Sequence, residues 1–532
     1  MRIPKIISSI SDEEKTPTVV RLLEFIQRQS EKIDCLEDEI KILKGLKKRP
    51  KIKPSKLEKN PDDEKKAPKS SGPKTGSRKR KKTASLRIHE DRVVEPEHVP
   101  EGSRFKGYND FVVQDLVFEP FNVRYRLARY ETPEGENVVG RLPSELEGRH
   151  FGVKLRGFIL YQYYHVHATQ PTIWEQLREI GIDVSLGEIS RILLEGKDAF
   201  HAEKEEILRV GIAVSRYLNV DDTGARHEGK NGYCTHVGNE SFAYFESSES
   251  KSRINFLKVL RGAFEDYVVN ADALSYMASQ KLPADSIRAL FQSRAAIFPS
   301  EEDWLAHLAG LGIASARHVR IATEGALVGA VIEHGLNPNI TIVSDDAGQF
   351  NLFFHALCWI HAERIVAKMV GFTKEHRDDL EAKRSQIWDF YRGLKEYKKN
   401  PSPDAKAGIE DRFDEIFLEK TTFETLNQAL KRLHRNKSEL LLVLERPETP
   451  LHNNLSENDI RDFVKKRKIS GSTRSPTGRK CRDTFASLKK TCRKHGVSFW
   501  DYLMDRLKGP GKPVPYLPEL IRRSASEAPH PM

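Results

Sequence analysis

The sequence predicts a multidomain α+β protein. Three observations carry that prediction. Apolar, strand-like runs end in paired acids at Tyr217–Gly224 (YLNVDDTG) and Ile340–Gly348 (ITIVSDDAG). Long stretches of helical periodicity surround them, and a heptad seam opens the chain. At 532 residues the chain exceeds one ordinary core, so two to four domains are expected.

Residues 17–48 are expected to form a coiled coil. Val19, Leu22, Ile26, Gln29, Ile33, Leu36, Ile40 and Leu43 recur at alternating steps of three and four, with Pro17 suited to a first turn and Pro50 to a stop. An amphipathic helix packed on its own chain is the plainer alternative; self-association is the reading preferred here. Residues 49–100, rich in Lys, Pro, Ser and Gly, cannot bury a core and are expected to be a disordered basic linker. Residues 101–145 alternate as strands do, around a turn at Thr132–Glu136, and predict a small β module without cysteine. Residues 150–200 predict a helical domain. Within it, Pro171–Gly196 has helix-turn-helix spacing around Gly181, the second helix opening at Ser185. Such pairs are also common in plain bundles.

Residues 210–470 carry the acidic strands and are expected to form the core. Three runs, Val214–His227, Asn231–Asn239 and Ser241–Ser248, predict an antiparallel meander. Helical insertions are expected at about 254–337 and 373–444, and the run from Phe353 to Val370 reads as a helix after the second acidic strand. Residues 471–510 form a basic C-terminal segment and 511–532 a tail, expected to be disordered from Arg522 onward.

A formal charge of +11 and a pI near 9.1 point to a polyanionic partner, nucleic acid first. The five cysteines are scattered, which excludes a disulfide framework and fits a reducing compartment. No apolar run reaches the length of a membrane span and the N-terminus lacks a secretory core, so a cytoplasmic, DNA-associated protein is expected.

The chemistry centres on Pro450–Lys468 (PLHNNLSENDIRDFVKKRK), which sets Glu457 on a helix that turns strongly basic. A lone carboxylate beside cations is usually a solvated, ion-paired face. Two strand-borne acid pairs upstream change that reading. Carboxylates converging at the ends of buried strands repel one another unless cations neutralise them, and hard oxygen ligands select Mg²⁺ or Mn²⁺. Two such ions in one active site support in-line phosphoryl transfer. Cys358 and His361, spaced as half a zinc site, have no complementary pair and read as structural. Lys465–Lys468, Arg474, Arg479, Lys480, Arg482, Lys489, Lys490, Arg493 and Lys494 carry few acids between them, which favours a phosphate-tracking surface.

At these motifs the chain resembles the insertion-sequence-66 family of transposases. VDDTG, VSDDAG, CWIHAER (Cys358–Arg364), HNNLSENDIR with the KRK after it, and the closing Gly471–Leu507 segment carry the resemblance. It implies a DDE enzyme with a ribonuclease-H-like catalytic core that cleaves and joins DNA. It also implies Asp221, Asp345 and Glu457 as catalytic metal ligands, with Asp222 and Asp346 as neighbouring alternatives. Asn454, Arg461, Lys465, Arg467, Lys468, Arg474 and Arg479 are the expected DNA contacts. Transposon ends and target DNA, a second copy of the chain and accessory transposition proteins are the expected partners. Three departures stand out: Asp222 where the family usually has Glu, Asp346 where it more often has Gly, and the cysteine-free β module in place of a zinc-ribbon-like segment.

Overall fold

The computed structural model describes residues 87–527 except 99, 144, 145, 147 and 294, and before them residues 16, 18–23, 25, 26 and 29. Most of the coiled-coil stretch and of the basic linker therefore lies outside the described residues. The described part of the first stretch is helical. Leu23 is buried there in an apolar cluster with Trp359, Phe390 and Phe413, while the seam residues Leu22 and Ile26 are exposed.

A mixed five-stranded sheet positions everything that follows. The helix α1 (Asp198–Val214) leads into β1 (Tyr217–His227), β2 (Lys230–Gly238) and β3 (Ala243–Ser248), the antiparallel meander read from the sequence. The chain then passes through α2 (Arg253–Arg261), three shorter helices and α3 (Ala316–Glu333) before β4 (Thr341–Ser344) and β5 (Phe354–Leu357). In space the order is β3-β2-β1-β4-β5, with β4 parallel to β1 and β5 parallel to β4. The helix α4 (Trp359–Ala367) follows. A helical cluster spanning Lys374–Leu444 leads to α5 (Asn454–Ser470), α6 (Pro476–Lys494) and, after a short helix, α7 (Leu517–Glu527).

Alternation along β1 sorts its side chains between two environments. Leu218 and Val220 enter the main core with Val237, Tyr244 and Ile342. Ala225, on the other face, meets Cys234, Ala243 and Phe245 under Ile460 and Phe463 of α5. Helix α3 is buried from Ile321 to Val331 and passes so close to a neighbouring strand that a Cβ on Gly329 would lie 2.3 Å from the Val268 carbonyl oxygen. Because backbone cannot yield as a side chain does, Gly329→Ala is expected to lower stability by about 1–3 kcal/mol, read by chemical denaturation.

Three expectations are corrected. The β module reduces to a hairpin of three-residue strands, Arg129–Glu131 with Asn137–Val139, around the predicted turn. Residues 105–128 form no strand, and Phe111 and Phe121 are each 90% exposed. Alternation makes a strand only where another surface covers its apolar face, and no such surface lies over these side chains. Phe354–Leu357, read as helix, is the edge strand β5. A short apolar run carries no decisive period, and pairing with β4 settles it. Arg522–Glu527, read as tail, continues α7. Leu517 and Ile521 are fully buried, and Arg522 reaches Glu206 of α1 at 3.0 Å.

Candidate functional site

Asp221 lies within β1, and Asp345 follows directly on the end of the adjacent strand β4. The parallel register pairs Asn219 with Val343, and each aspartate lies two residues further on with the same parity. That parity is the face on which α5 packs, since Asp221 is opposite His236 and Ala225 touches the α5 side chains. The acid pairs are thereby separated. Asp222 turns to the other face, accepts hydrogen bonds from Thr235 Oγ1 (2.5 Å) and Gln349 Nε2 (2.9 Å), and lies 3.9 Å from Lys251 Nζ. Asp346 is exposed and paired with Arg432. Asp345 Oδ1 is buried and has no hydrogen-bond partner.

Helix α5 is fastened to β1 by Asn453, which is 1% exposed. Its Nδ2 donates to the carbonyl of Val220 (2.7 Å), its Oδ1 accepts from Asn219 Nδ2 (2.9 Å), and its backbone N–H reaches Cys358 Sγ (3.2 Å). Cys358 stands buried at the start of α4, and burial pushes its thiol up to about 11. Trp359 N–H adds a bond to the Leu451 carbonyl at 3.0 Å. One turn into α5, Glu457 Oε1 lies 3.2 Å from Arg364 Nη1 and 3.6 Å from His361 Nε2. The CWIHAER motif therefore supplies the anchor of the α5 entrance and the cation facing its glutamate.

The three predicted carboxylates do not form one ligand cluster here. Among the described residues no group of three or more His, Cys, Asp or Glu side chains is arranged to hold a metal ion. Their chemistry nonetheless fits a divalent cation. All are oxygen donors, and the uncompensated Asp345 Oδ1 has the character of a ligand atom awaiting a cation.

The basic segment is the main correction at the site. Lys489 and Lys490, expected on a phosphate-tracking surface, are buried against α5, at 3.0 and 3.5 Å from Asp462. Lys494 lies 2.8 Å from Asp459, and the buried Arg482 covers the ring of Phe463. The acids that balance α6 come from α5, so one-helix charge counting missed them. A His167 hydrogen bond, helped by Lys489 and Lys490, holds Asp462 well below the carboxylate range despite burial. Arg467 is half-buried, bonding the Gly224 carbonyl and Thr223 Oγ1. Arg461, Lys465, Lys468 and Arg474 are exposed, Arg479 and Asn454 half-buried.

Lys466 has no nearby carboxylate partner of this kind. It is 6% exposed, donates to the carbonyls of Tyr163 (2.9 Å) and Ala168 (3.3 Å), and lies over the Tyr163 ring. Burial, with a smaller push from Lys489, lowers it to about 7. The unfolded chain binds this proton more tightly than the folded one, so stability rises with pH from about 7 towards 10. Relative to Lys466→Met, the wild type is expected to gain about 2–3 kcal/mol between pH 6 and 9.5 in denaturant titrations.

Asn453, Asn219, Arg364 and His236 were missed as supports of the site. Arg364 entered the sequence reading only as the last residue of CWIHAER, and the partners of Asn453 lie more than ninety residues away.

The fold and site define an α+β protein with one aspartate inside a strand of the mixed sheet, a second just past the end of the adjacent parallel strand, and a glutamate on the helix packed over the first strand. The family described as Transposase IS66 family matches residues 334–481, which include Asp345 and Glu457 but not Asp221. An uncharacterized protein, y4jO, of Sinorhizobium fredii (strain NBRC 101917 / NGR234) is 44% identical over 321 residues, 60% of this chain and all of that protein. The chain belongs to the IS66 family of transposases, enzymes that act on DNA. Among the described residues, no helix is long and apolar enough to cross a membrane.

Proposed function

We propose that this protein is a DDE transposase with a ribonuclease-H-like core, in which Asp221, Asp345 and Glu457 form the catalytic set. The observation that carries the reading is that Asp221 and Asp345 each follow by two residues the paired Asn219 and Val343, with the Glu457 helix tied by Asn453 to the residue preceding Asp221. The spatial order β3-β2-β1-β4-β5, with only β2 antiparallel to its neighbours, supports the core assignment. Two Mg²⁺ ions, or Mn²⁺, held by these carboxylates would activate a water or a DNA 3′-hydroxyl and stabilise the departing oxygen.

The chain's own groups supply the rest. Asp221 and Asp345 provide negative charge on a rigid sheet. Glu457 approaches from α5 and exchanges the Arg364 ion pair for the site. Arg461, Lys465, Lys468 and Arg474 offer exposed cations for phosphates, Arg479 and Asn454 flanking them. Arg467 holds β1 as well as bordering this surface. The substrates are transposon ends and target DNA, with self-association through residues 17–48 and accessory transposition proteins as further partners. The Ser185-capped helix of the Gln170–Leu194 pair is a second DNA-contacting element in this reading.

A strand-transfer assay with Mg²⁺ on the element's own terminal DNA tests this. Joined products that disappear in Glu457→Gln while end binding persists are the expected result. Binding without cleavage by the wild type, accessory factors supplied, would replace the reading with a non-catalytic DNA-binding protein. Cleavage without joining would leave a nuclease.

A further inference from the structure

Two side-chain chains of the same composition end at the residues immediately before Asp345 and Glu457. Ser344 is fully buried; its Oγ lies 2.8 Å from His355 Nε2, and His355 Nδ1 lies 2.8 Å from Glu439 Oε1. Ser456 is fully buried; its Oγ lies 2.8 Å from His236 Nδ1, and His236 Nε2 lies 3.2 Å from Asp459 Oδ2. Each chain is acid, imidazole, serine, and each serine adjoins a proposed metal ligand. Glu439 and His236 come from distant parts of the sequence, whereas Ser456 and Asp459 lie one turn apart on α5.

The geometry of the first chain is not that of a nucleophile system. Ser344 has no exposure, and its hydroxyl is also 2.5 Å from the carbonyl oxygen of Asp345, so it is spent on the backbone of the aspartate. The second is equally closed. His236 has no exposure; its Nδ1 meets the Ser456 hydroxyl while its Nε2 faces Asp459. Asp459 lies 2.8 Å from Lys494 Nζ, which anchors the far end of the chain to α6.

We infer that Glu439–His355–Ser344 and Asp459–His236–Ser456 are paired positioning devices that fix the backbone carrying Asp345 and Glu457 for a divalent cation. The inference rests on the proposed metal-binding role of those two carboxylates. Each chain stiffens one ligand from behind. The first joins β4, β5 and the Lys437–Leu440 helix; the second joins β2 to α5. Outer partners of this kind hold a ligand in the geometry a metal requires, and their loss weakens binding without removing a ligand atom. The serines and histidines are positioning residues, since none is proposed to touch the metal.

The test is Mn²⁺ binding by the full chain without DNA, with free Mn²⁺ followed by electron paramagnetic resonance. Ser344→Ala and Ser456→Ala are each expected to weaken Mn²⁺ by about tenfold, and Ser344→Thr and Ser456→Thr, which keep the hydroxyl, to restore most of the loss. Ser487→Ala is the control. Ser487 is equally buried and hydrogen-bonded, to Phe245 N–H and the Asp483 carbonyl, but lies away from the carboxylates. It should bind Mn²⁺ as the wild type does. Unchanged affinity in both alanine variants, or an equal loss in Ser487→Ala, overturns the inference while leaving the metal site intact. A wild type that holds no Mn²⁺ overturns the metal reading itself, and this inference with it.

Discussion

Asp345→Asn is expected to abolish DNA joining and, in the same protein, to raise the thermal stability of the metal-free state. The two effects have one cause. Asp345 Oδ1 is buried at the end of β4 without a hydrogen-bond partner, on the face shared with Asp221. A charged oxygen in that position is destabilising until a cation arrives. The amide removes the charge at nearly constant volume, and its N–H₂ can donate where the carboxylate had only acceptors. A gain of about 1 kcal/mol in unfolding free energy is expected without metal. Joining should fall at least about a thousandfold, because a ligand has been lost. With Mn²⁺ added the order should reverse, since ligand-linked stabilisation reaches the wild type alone. Thermal unfolding with and without Mn²⁺, beside the strand-transfer assay, checks all three parts. A variant less stable than wild type without metal would show that the carboxylate is compensated in the fold.

The contrast with Asp346 shows how much the sequence made legible. VSDDAG announced a strand ending in acids, and strand, end and acids are all found. Which aspartate faces the site depends on strand parity and on which face α5 covers. Parity can be counted in a sequence, but the covering helix begins more than one hundred residues later. The same holds for Asp221 and Asp222, where one residue decides between the α5 face and a polar pocket of Thr235 and Gln349. The basic α6 face was misread for a related reason. Asp459 and Asp462 stand in plain view in SENDIRDF, but only helix packing brings them against Lys489, Lys490 and Lys494. Cys358, read as structural, accepts the backbone N–H of Asn453, a contact that no spacing rule suggests. The edge strand β5 was lost because four residues carry too little periodicity to oppose the helix after them.

Asn453→Ala is expected to be the most damaging substitution that removes no carboxylate. The side chain it deletes makes two buried hydrogen bonds to β1, donating to Val220 and accepting from Asn219. Asn219 Nδ2 would lose its buried acceptor and the Val220 carbonyl its side-chain donor, so a loss of about 2–4 kcal/mol is expected in denaturant unfolding. The backbone bond to Cys358 survives the mutation, which keeps α4 and the entrance of α5 in contact. The damage should therefore concentrate on the link between α5 and β1, that is, on the distance of Glu457 from Asp221. Asn453→Asp separates stability from positioning. A carboxylate still accepts from Asn219 but faces the Val220 carbonyl with no proton to offer. Activity in that variant should fall by an order of magnitude or more even under conditions where the fold is fully populated, because small misplacements of a catalytic group are costly. Full activity of folded Asn453→Asp would mean that the Val220 bond holds the helix without setting the site.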